Sequence, residues 1–444
     1  MKVELAGHYG IKRLVRTSLP MVAMMVVTSV YTIVDGFFVS NYAGSTAFAA
    51  MNIIWPVLAF MSAFGLMIGT GGSALVSKTL GEGDTARARE IFTVLTLTGV
   101  ILGTVLAAGS FIFMEPAVIA LGAEGDMIPL AVLYGRVVVL AMPAFILQMA
   151  FQSFYMAAEK PELGTRMSII SGCINIVLDA LFIVVLGWGL AGAAIGTAAS
   201  IAVGGIFPLF YFSSGRNDSQ LRFVRLSGID WKAIGRTCTN GMSEYVGNVA
   251  LNVVSVGYNL QLMRYIGEDG VSAYGIIMYV AFIFSAIFMG YNLCVSQVIA
   301  YNYGAGNKAE LRSLLKKSLL LISIGGLILT ALAEISAPAL ARTFVGYDAD
   351  LCDLTVRATR IYMLSFLICG FNLFCSAWFT ALNNGLVSAA AAFARTLVFE
   401  LGAVMIVPGI IGIDGIWMSV CIAEVLALIL SAVLVIAFKG KYLN

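Results

Sequence analysis

The sequence predicts an all-α polytopic membrane protein, with twelve transmembrane helices in two parallel six-helix repeats that form a V-shaped pair of lobes. Three observations lead there: apolar runs of spanning length, a one-sided distribution of lysine and arginine, and an internal repeat. Of 444 residues, 60% are hydrophobic and 11% charged, with a mean hydropathy of +0.96. Soluble domains carry roughly 25% charged residues, so this composition excludes one. A net charge of +2 leaves no basic footprint for nucleic acid.

A spanning helix needs about 20 mostly apolar residues. Residues 91–114, 137–158 and 245–263 hold no charge and are that long. The stretches 36–77 and 180–215 are longer still and must each contain a break, placed at Asn41–Gly44 and Gly187–Gly189. The resulting helices lie near 14–39, 46–77, 90–114, 127–157, 163–187, 189–213, 235–263, 270–300, 311–334, 352–382, 386–407 and 413–438. The opening MKVELAGHYGIKRLVR is polar and the first apolar run continues as a full span, so no cleavable leader is expected.

Lysine and arginine favour the cytoplasmic side of a membrane. With both termini inside, the inner segments hold 20 of the 26, from Lys2 and Lys12 through Arg216 and Arg222 to Lys439 and Lys441. Outer loops hold two, Arg264 and Arg342, and one missed helix would scramble that split. Arg136, Arg357 and Arg360 fall near outer helix ends, where long side chains snorkel. The expected location is the plasma membrane of a prokaryotic cell, multi-pass with both termini cytoplasmic.

The chain is a duplication. Shifted by 223 residues, positions 42–89 overlay 265–312 without a gap, with 13 identities in 48. Tyr42/Tyr265, Ser73/Ser296, Gly81/Gly304 and Arg89/Arg312 are among them. Six helices per half is an even number, so both halves enter the bilayer in the same sense. The expected organisation is an N-terminal lobe over 1–213, a cytoplasmic linker over 214–234 and a C-terminal lobe over 235–444. Two bundles with a cleft between them suit alternating access better than a receptor or an enzyme.

Charges inside a membrane demand a reason. Asp35 falls in the outer half of helix 1 and Asp179 in the outer half of helix 5. Asn175 and Asp179 are four residues apart and share a helix face. Thr197 falls in the outer half of helix 6. Two carboxylates, an amide and a hydroxyl thus occur at similar depth in one lobe. Oxygen ligands of this kind suit Na⁺, for which the four would be metal ligands, or a proton shared between acids.

In the second half, Glu244, Glu400 and Arg395 either attract a cationic substrate into the central cleft or form ion pairs across helices. Arg395 lies five residues before Glu400, about 140° round an α-helix, so those two are not expected to pair. Glu424 reads as structural. Met25 and Met149 belong to a set that suits a pliable pocket for varied apolar ligands. Pro20 and Pro143 are candidate kinks.

His8 is the single histidine, which removes histidine-based metal sites, triads and relays. The seven cysteines include no CxxC and read as small buried hydrophobes. No nucleophile–base pair is evident, no enzyme activity is expected, and no cofactor is implied beyond a coupling ion.

The sequence resembles the multidrug and toxic compound extrusion (MATE) family over essentially its whole length. The resemblance rests on Leu19-Pro20 with Ile33-Val34-Asp35-Gly36-Phe37-Phe38, on Gly81-Glu82-Gly83-Asp84, and on Asn175 to Ile183 followed by Gly192 to Thr197. Tyr301 to Ala305 and Gly412 to Trp417 add to it. It implies an antiporter that exports organic cations and other amphiphiles in exchange for inward H⁺ or Na⁺, with membrane lipids around it and a monomer as the working unit. It further implies that Asp35, Asn175, Asp179 and Thr197 form a cation site, and that Pro20 is the hinge at which helix 1 bends. A flippase for a lipid-linked saccharide, from the same superfamily, is the alternative.

Overall fold

The computed structural model describes residues 4–215, 217–226 and 228–443, and among them every regular element is helical. Lys2 and Arg216, two of the inner-side cations, lie outside the described residues. The N-terminal lobe contains α1 (Ile11–Ala43), α2 (Ser45–Gly81), α3 (Thr85–Ala120), α4 (Met127–Leu140 bent into Met142–Ala157), α5 (Pro161–Val185) and α6 (Gly189–Ser213). The C-terminal lobe contains α7 (Trp231–Tyr265), α8 (Glu268–Gly304), α9 (Lys308–Val345), α10 (Ala349–Met363 bent into Phe366–Ala381), α11 (Gly385–Ile411) and α12 (Ile413–Leu443).

Nine of these are long and apolar enough to cross a membrane, and the two bent ones bring the total to 11. The exception is α7. Its 35 residues would reach about 50 Å, well beyond the roughly 30 Å hydrocarbon core. Its composition is what fails, because Arg236, Asn240, Glu244, Asn248 and Asn252 punctuate it. Glu244 and Asn248 of that series, with the neighbouring Ser243, line the central cavity described below.

Several helices run past the apolar stretches that signal them, since polar ends continue the hydrogen-bonded turn. Asp84, Asp230 and Asn307 cap the starts of α3, α7 and α9 by accepting backbone N–H groups. The long fourth helix of each repeat is not straight. It bends by 61° at Ala141 in α4, where Pro143 supplies no N–H, and by 43° at Leu364–Ser365 in α10. The repeat shift carries Ala141 onto Leu364, and it carries Ser45–Gly81 onto Glu268–Gly304 at both ends.

Pro20 sits within α1 without breaking it, and its carbonyl accepts the Thr165 hydroxyl at 2.5 Å. Short π-helical stretches appear where the sequence suggests only α-helix: Val39–Ala43, Ala180–Val185 and Ala394–Glu400.

The basic segments gather at one end. The connection between α6 and α7 is tied there by the Arg89 guanidinium, which donates to the Gln220 carbonyl at 2.8 Å, and by the Phe223 ring stacked on Phe92 at 5.1 Å. Lys160 lies 2.6 Å from the exposed Asp218 and holds that carboxyl below the usual carboxylate range. At the other end Arg357 pairs with Asp414, and Arg360 lies 3.5 Å from Glu334. Both arginines are therefore ion-paired, where the sequence suggests only snorkelling. Cys173 is exposed, unlike the buried Cys294, Cys369 and Cys375.

The lobes meet closely toward the basic end, and glycine makes the approach possible. A Cβ on Gly81 would overlap the Tyr301 carbonyl oxygen, and one on Gly304 would overlap that of Lys78. Those two contacts are images of each other under the repeat. Gly71 and Gly241 meet in the same manner, against Thr237 and Met67.

A buried polar clasp crosses the seam beside them. The Ser77 hydroxyl donates to Gln297 Oε1, and Gln297 Nε2 donates to Ser73 Oγ, each at 2.8 Å. Residues 4–10 lie across the same seam. Leu5 N–H donates to Glu159 Oε1 at 2.7 Å, Tyr9 N–H donates to Glu310 Oε1 at 2.8 Å, and His8 Nδ1 lies 2.7 Å from Glu310 Oε2.

Candidate functional site

The N-terminal lobe brings its four sequence-predicted ion ligands together. Asp35 comes from α1, Asn175 and Asp179 from α5, and Thr197 from α6. Helical spacing puts Asn175 and Asp179 on one face of α5. The Asp35 carboxyl faces Asp179, Asn175 and Thr197. All four residues are buried, at 9%, 2%, 0% and 9% exposure in chain order.

Among the described residues, Asp35 Oδ1, Asn175 Oδ1, both Asp179 carboxylate oxygens and Thr197 Oγ1 have no hydrogen-bond partner. Buried polar atoms are ordinarily paired. Five unpaired oxygens around two adjacent carboxylates form a set suited to a cation or a shared proton. No group of three or more His, Cys, Asp or Glu in metal-binding arrangement occurs among the described residues. An ion here would rely on the amide and hydroxyl oxygens beside the two acids.

Two features of this site were not legible in the sequence. Tyr134 of α4 is fully buried with an unpaired hydroxyl, and it faces Thr197 beside the two acids. Its only sequence signal was a polar tip within an apolar span. Gly196 reads as a packing glycine, yet a Cβ there would lie 2.6 Å from Asp179 Oδ1. Binding sites tolerate errors of about 0.5 Å in their ligands. Gly196→Ala is therefore expected to raise the ion concentration for half-maximal transport at least about tenfold. An unchanged ion dependence in reconstituted vesicles would count against this placement.

The second constellation lies between the lobes. A cavity of about 170 Å³ is lined from one side by Met25, Thr70 and Gln152, and from the other by Glu244, Asn292 and Arg395, among others. Arg395 is neutralised at once. Its Nε and Nη2 donate to Glu424 Oε1 at 2.9 and 2.5 Å, and Asn372 Nδ2 donates to Glu424 Oε2 at 2.6 Å. Glu244 is half-buried, and no cation pairs with it among the described residues. The wall therefore carries one acid with no ion-pair partner among the described residues.

Met149 and Glu400 do not line this cavity. Met149 Cβ packs toward Gly65 within its own lobe, and its sulfur accepts from Gln152 Nε2 at 3.7 Å. Glu400 is buried behind the wall at 7% exposure. Side-chain type set the expectation for Met149 and an intramembrane charge set it for Glu400, and rotation about the helix axis decided the outcome. In α11 that rotation is altered by the π-helical turn over Ala394–Glu400. Arg395 pairs with Glu424 of α12, one of the across-helix ion pairs the sequence left open.

The family model described as MatE matches residues 20–181 and 245–404, once in each lobe. The chain belongs to the MatE family. This MATE transporter is 25% identical over 431 residues to the multidrug export protein MepA of Staphylococcus haemolyticus, covering 97% of this chain and 94% of MepA. Its fold matches that of a multidrug resistance MATE family transporter of the MOP superfamily in an outward-facing conformation. That match has a TM-score of 0.92, at 22% identity and 98% coverage of both chains. It equally matches a MOP superfamily transporter from Pyrococcus furiosus described as having a binding pocket of reverse polarity. There the TM-score is 0.89, at 22% identity and 98% coverage of both chains. Likeness at this identity shows the fold alone, and this chain's own cavity must supply the argument about substrate.

Proposed function

We propose that this MATE transporter is a secondary active antiporter that exports organic cations and related amphiphiles in exchange for inward H⁺ or Na⁺. It would work as a monomer in the plasma membrane of a prokaryotic cell, with both termini cytoplasmic and no cofactor besides the ion. The carrying observation is the separation of two sites. Unpaired oxygens from Asp35, Asn175, Asp179 and Thr197 lie inside the N-terminal lobe, and none of those residues lines the interlobe cavity.

Two distinct sites on one bistable scaffold are what coupling requires. Ion binding at one shifts the equilibrium between conformations, and substrate affinity at the other differs between them. Pro20 on α1 is the proposed hinge, because a proline carries no N–H for the helical ladder and Asp35 lies on the same helix.

Glu244 would anchor the cationic end of a substrate, while Met25 and Met289 offer adaptable apolar contacts. Glu244→Gln is expected to raise KM for a monovalent organic cation about tenfold, which is 1.4 kcal/mol, while transport of a neutral amphiphile changes little. Equal loss for both substrates would contradict this role. A flippase for lipid-linked saccharides finds less support, since the lining cation Arg395 is already engaged by Glu424. A saccharide-lipid translocated without ion exchange would favour that reading.

A further inference from the structure

Glu400 is left without a role by the substrate cavity. It sits in the C-terminal lobe at the place that the repeat assigns to the ion site of the N-terminal lobe. The 223-residue shift carries Asp35 of α1 onto Tyr258 of α7, and it carries Asp179 of α5 to within two residues of Glu400 on α11. Both acids mark a junction between α-helix and π-helix. Asp179 is the last residue before the π-turn Ala180–Val185, and Glu400 is the last residue of the π-turn Ala394–Glu400.

The surroundings correspond helix by helix. Gly257, beside Tyr258, faces Leu401, beside Glu400: a Cβ on that glycine would lie 2.7 Å from Leu401 Cδ1. Gln261 Nε2 of α7 reaches Met405 Sδ of α11 at 3.3 Å. Cys421 of α12 donates to the carbonyl of Ile361 of α10 at 3.2 Å. The rings of Tyr258 and Tyr274 stack at 4.9 Å, and Tyr362 closes the group at 6.3 and 6.5 Å. Glu400 is within electrostatic reach of all three phenols.

The chemistry differs from that of the other lobe. No hydrogen bond or ion pair reaches the Glu400 carboxylate among the described residues, although it is 7% exposed. Tyr258 Oη, Gln261 Oε1 and Trp417 Nε1 in the same region are buried and also unpaired. The charged and titratable groups within electrostatic reach of Glu400 are Arg395 on its own helix, Glu424 on α12, Cys369 and Tyr362 on α10, Tyr258 on α7 and Tyr274 on α8. Arg395 is held by Glu424, so the Glu400 carboxylate has no ion-pair partner among the described residues. An uncompensated buried charge is costly. A lone carboxyl among phenols offers too few strong oxygen ligands for a metal ion, and the group that fits is a proton.

We infer that Glu400 is a second proton-binding site, in which the carboxylate takes up one H⁺ as the C-terminal lobe changes conformation. The inference rests on the antiport reading above and gives it a stoichiometry. The protein then moves one more positive charge per substrate than the N-terminal site alone provides.

The test uses purified full-length protein in vesicles and in lipid nanodiscs. In vesicles, the ratio of protons to substrate, read from the reversal potential of transport, is expected to fall by one in Glu400→Gln. Glu400→Asp should restore it. In nanodiscs, the pH-difference infrared spectrum of the protein carrying both Asp35→Asn and Asp179→Asn should still show a protonated-carboxyl band. Adding Glu400→Gln should remove that band, and Glu400→Asp should shift it. An unchanged proton ratio in Glu400→Gln would overturn the inference, as would a carboxyl band that neither substitution affects. Failure of ion-coupled transport in the unsubstituted protein would instead sink the antiport reading, and the infrared result on Glu400 would still stand by itself.

Discussion

Asp35→Asn is expected to lower ion-driven efflux at least about a hundredfold, equivalent to 2.7 kcal/mol of lost coupling, in a protein that still folds. The physical argument lies in the buried oxygen set. Asp35 and Asp179 present two carboxylates to the same space, with Asn175 and Thr197 beside them and no internal partner for five oxygens. Removing one charge removes the reason for an ion or proton to enter, and it also relieves the repulsion between the two acids. Stability should therefore hold or rise while coupling disappears. The measurement pairs vesicle transport with a thermal unfolding midpoint in detergent. Wild-type transport in Asp35→Asn would contradict the assignment, and a large fall in the midpoint would show Asp35 to be structural.

The second large effect is expected at the interlobe seam. Gly241→Val should prevent the basic ends of the lobes from closing, since even a Cβ at this position would overlap the Met67 carbonyl oxygen. Backbone cannot yield as a flexible side chain does, so the closed arrangement must be given up. About 5.5 kcal/mol of bias is enough to turn a 99:1 population into its inverse. The reporter is Ala74→Cys, at a position fully buried in the seam, in a protein whose native cysteines have been replaced. Its labelling by a membrane-impermeant thiol reagent applied to the basic side should rise from negligible to near complete on adding Gly241→Val. Continued protection of that thiol would show that the seam does not have to part there.

The grouping of the four N-terminal polar residues was legible because intramembrane acids are rare and because their depth can be counted from flanking cations. Asp35, Asn175, Asp179 and Thr197 needed only helix direction and spacing to be placed together. The rods and the internal repeat were legible for a similar reason, since apolar length and a fixed shift are both written linearly along the chain. Azimuth was not. Whether Glu400 faces the cleft or the interior of its own lobe depends on a π-helical turn, for which no residue in Ala394–Glu400 is diagnostic. An across-helix ion pair of Arg395 was one of the two readings the sequence offered, and only the fold shows that its partner is Glu424 of α12.

Tyr134 was missed because a tyrosine in an apolar span ordinarily packs, and only the fold shows its hydroxyl facing Thr197. The break in α10 at Leu364–Ser365 carries no proline, so only the shift from Ala141 in α4 hinted at it.

The central claim is that an ion gradient acting through the N-terminal lobe drives substrate uphill. Its most direct test is purified protein in sealed vesicles containing an ethidium-like monovalent cation. An inward pH gradient and an inward Na⁺ gradient are imposed in turn at equal substrate concentration on both sides. The account predicts net export against the resulting substrate gradient with one of these ions, and no net movement when that gradient is collapsed. Substrate that only runs downhill with either ion, or a continuous ion current that needs no substrate, would contradict it.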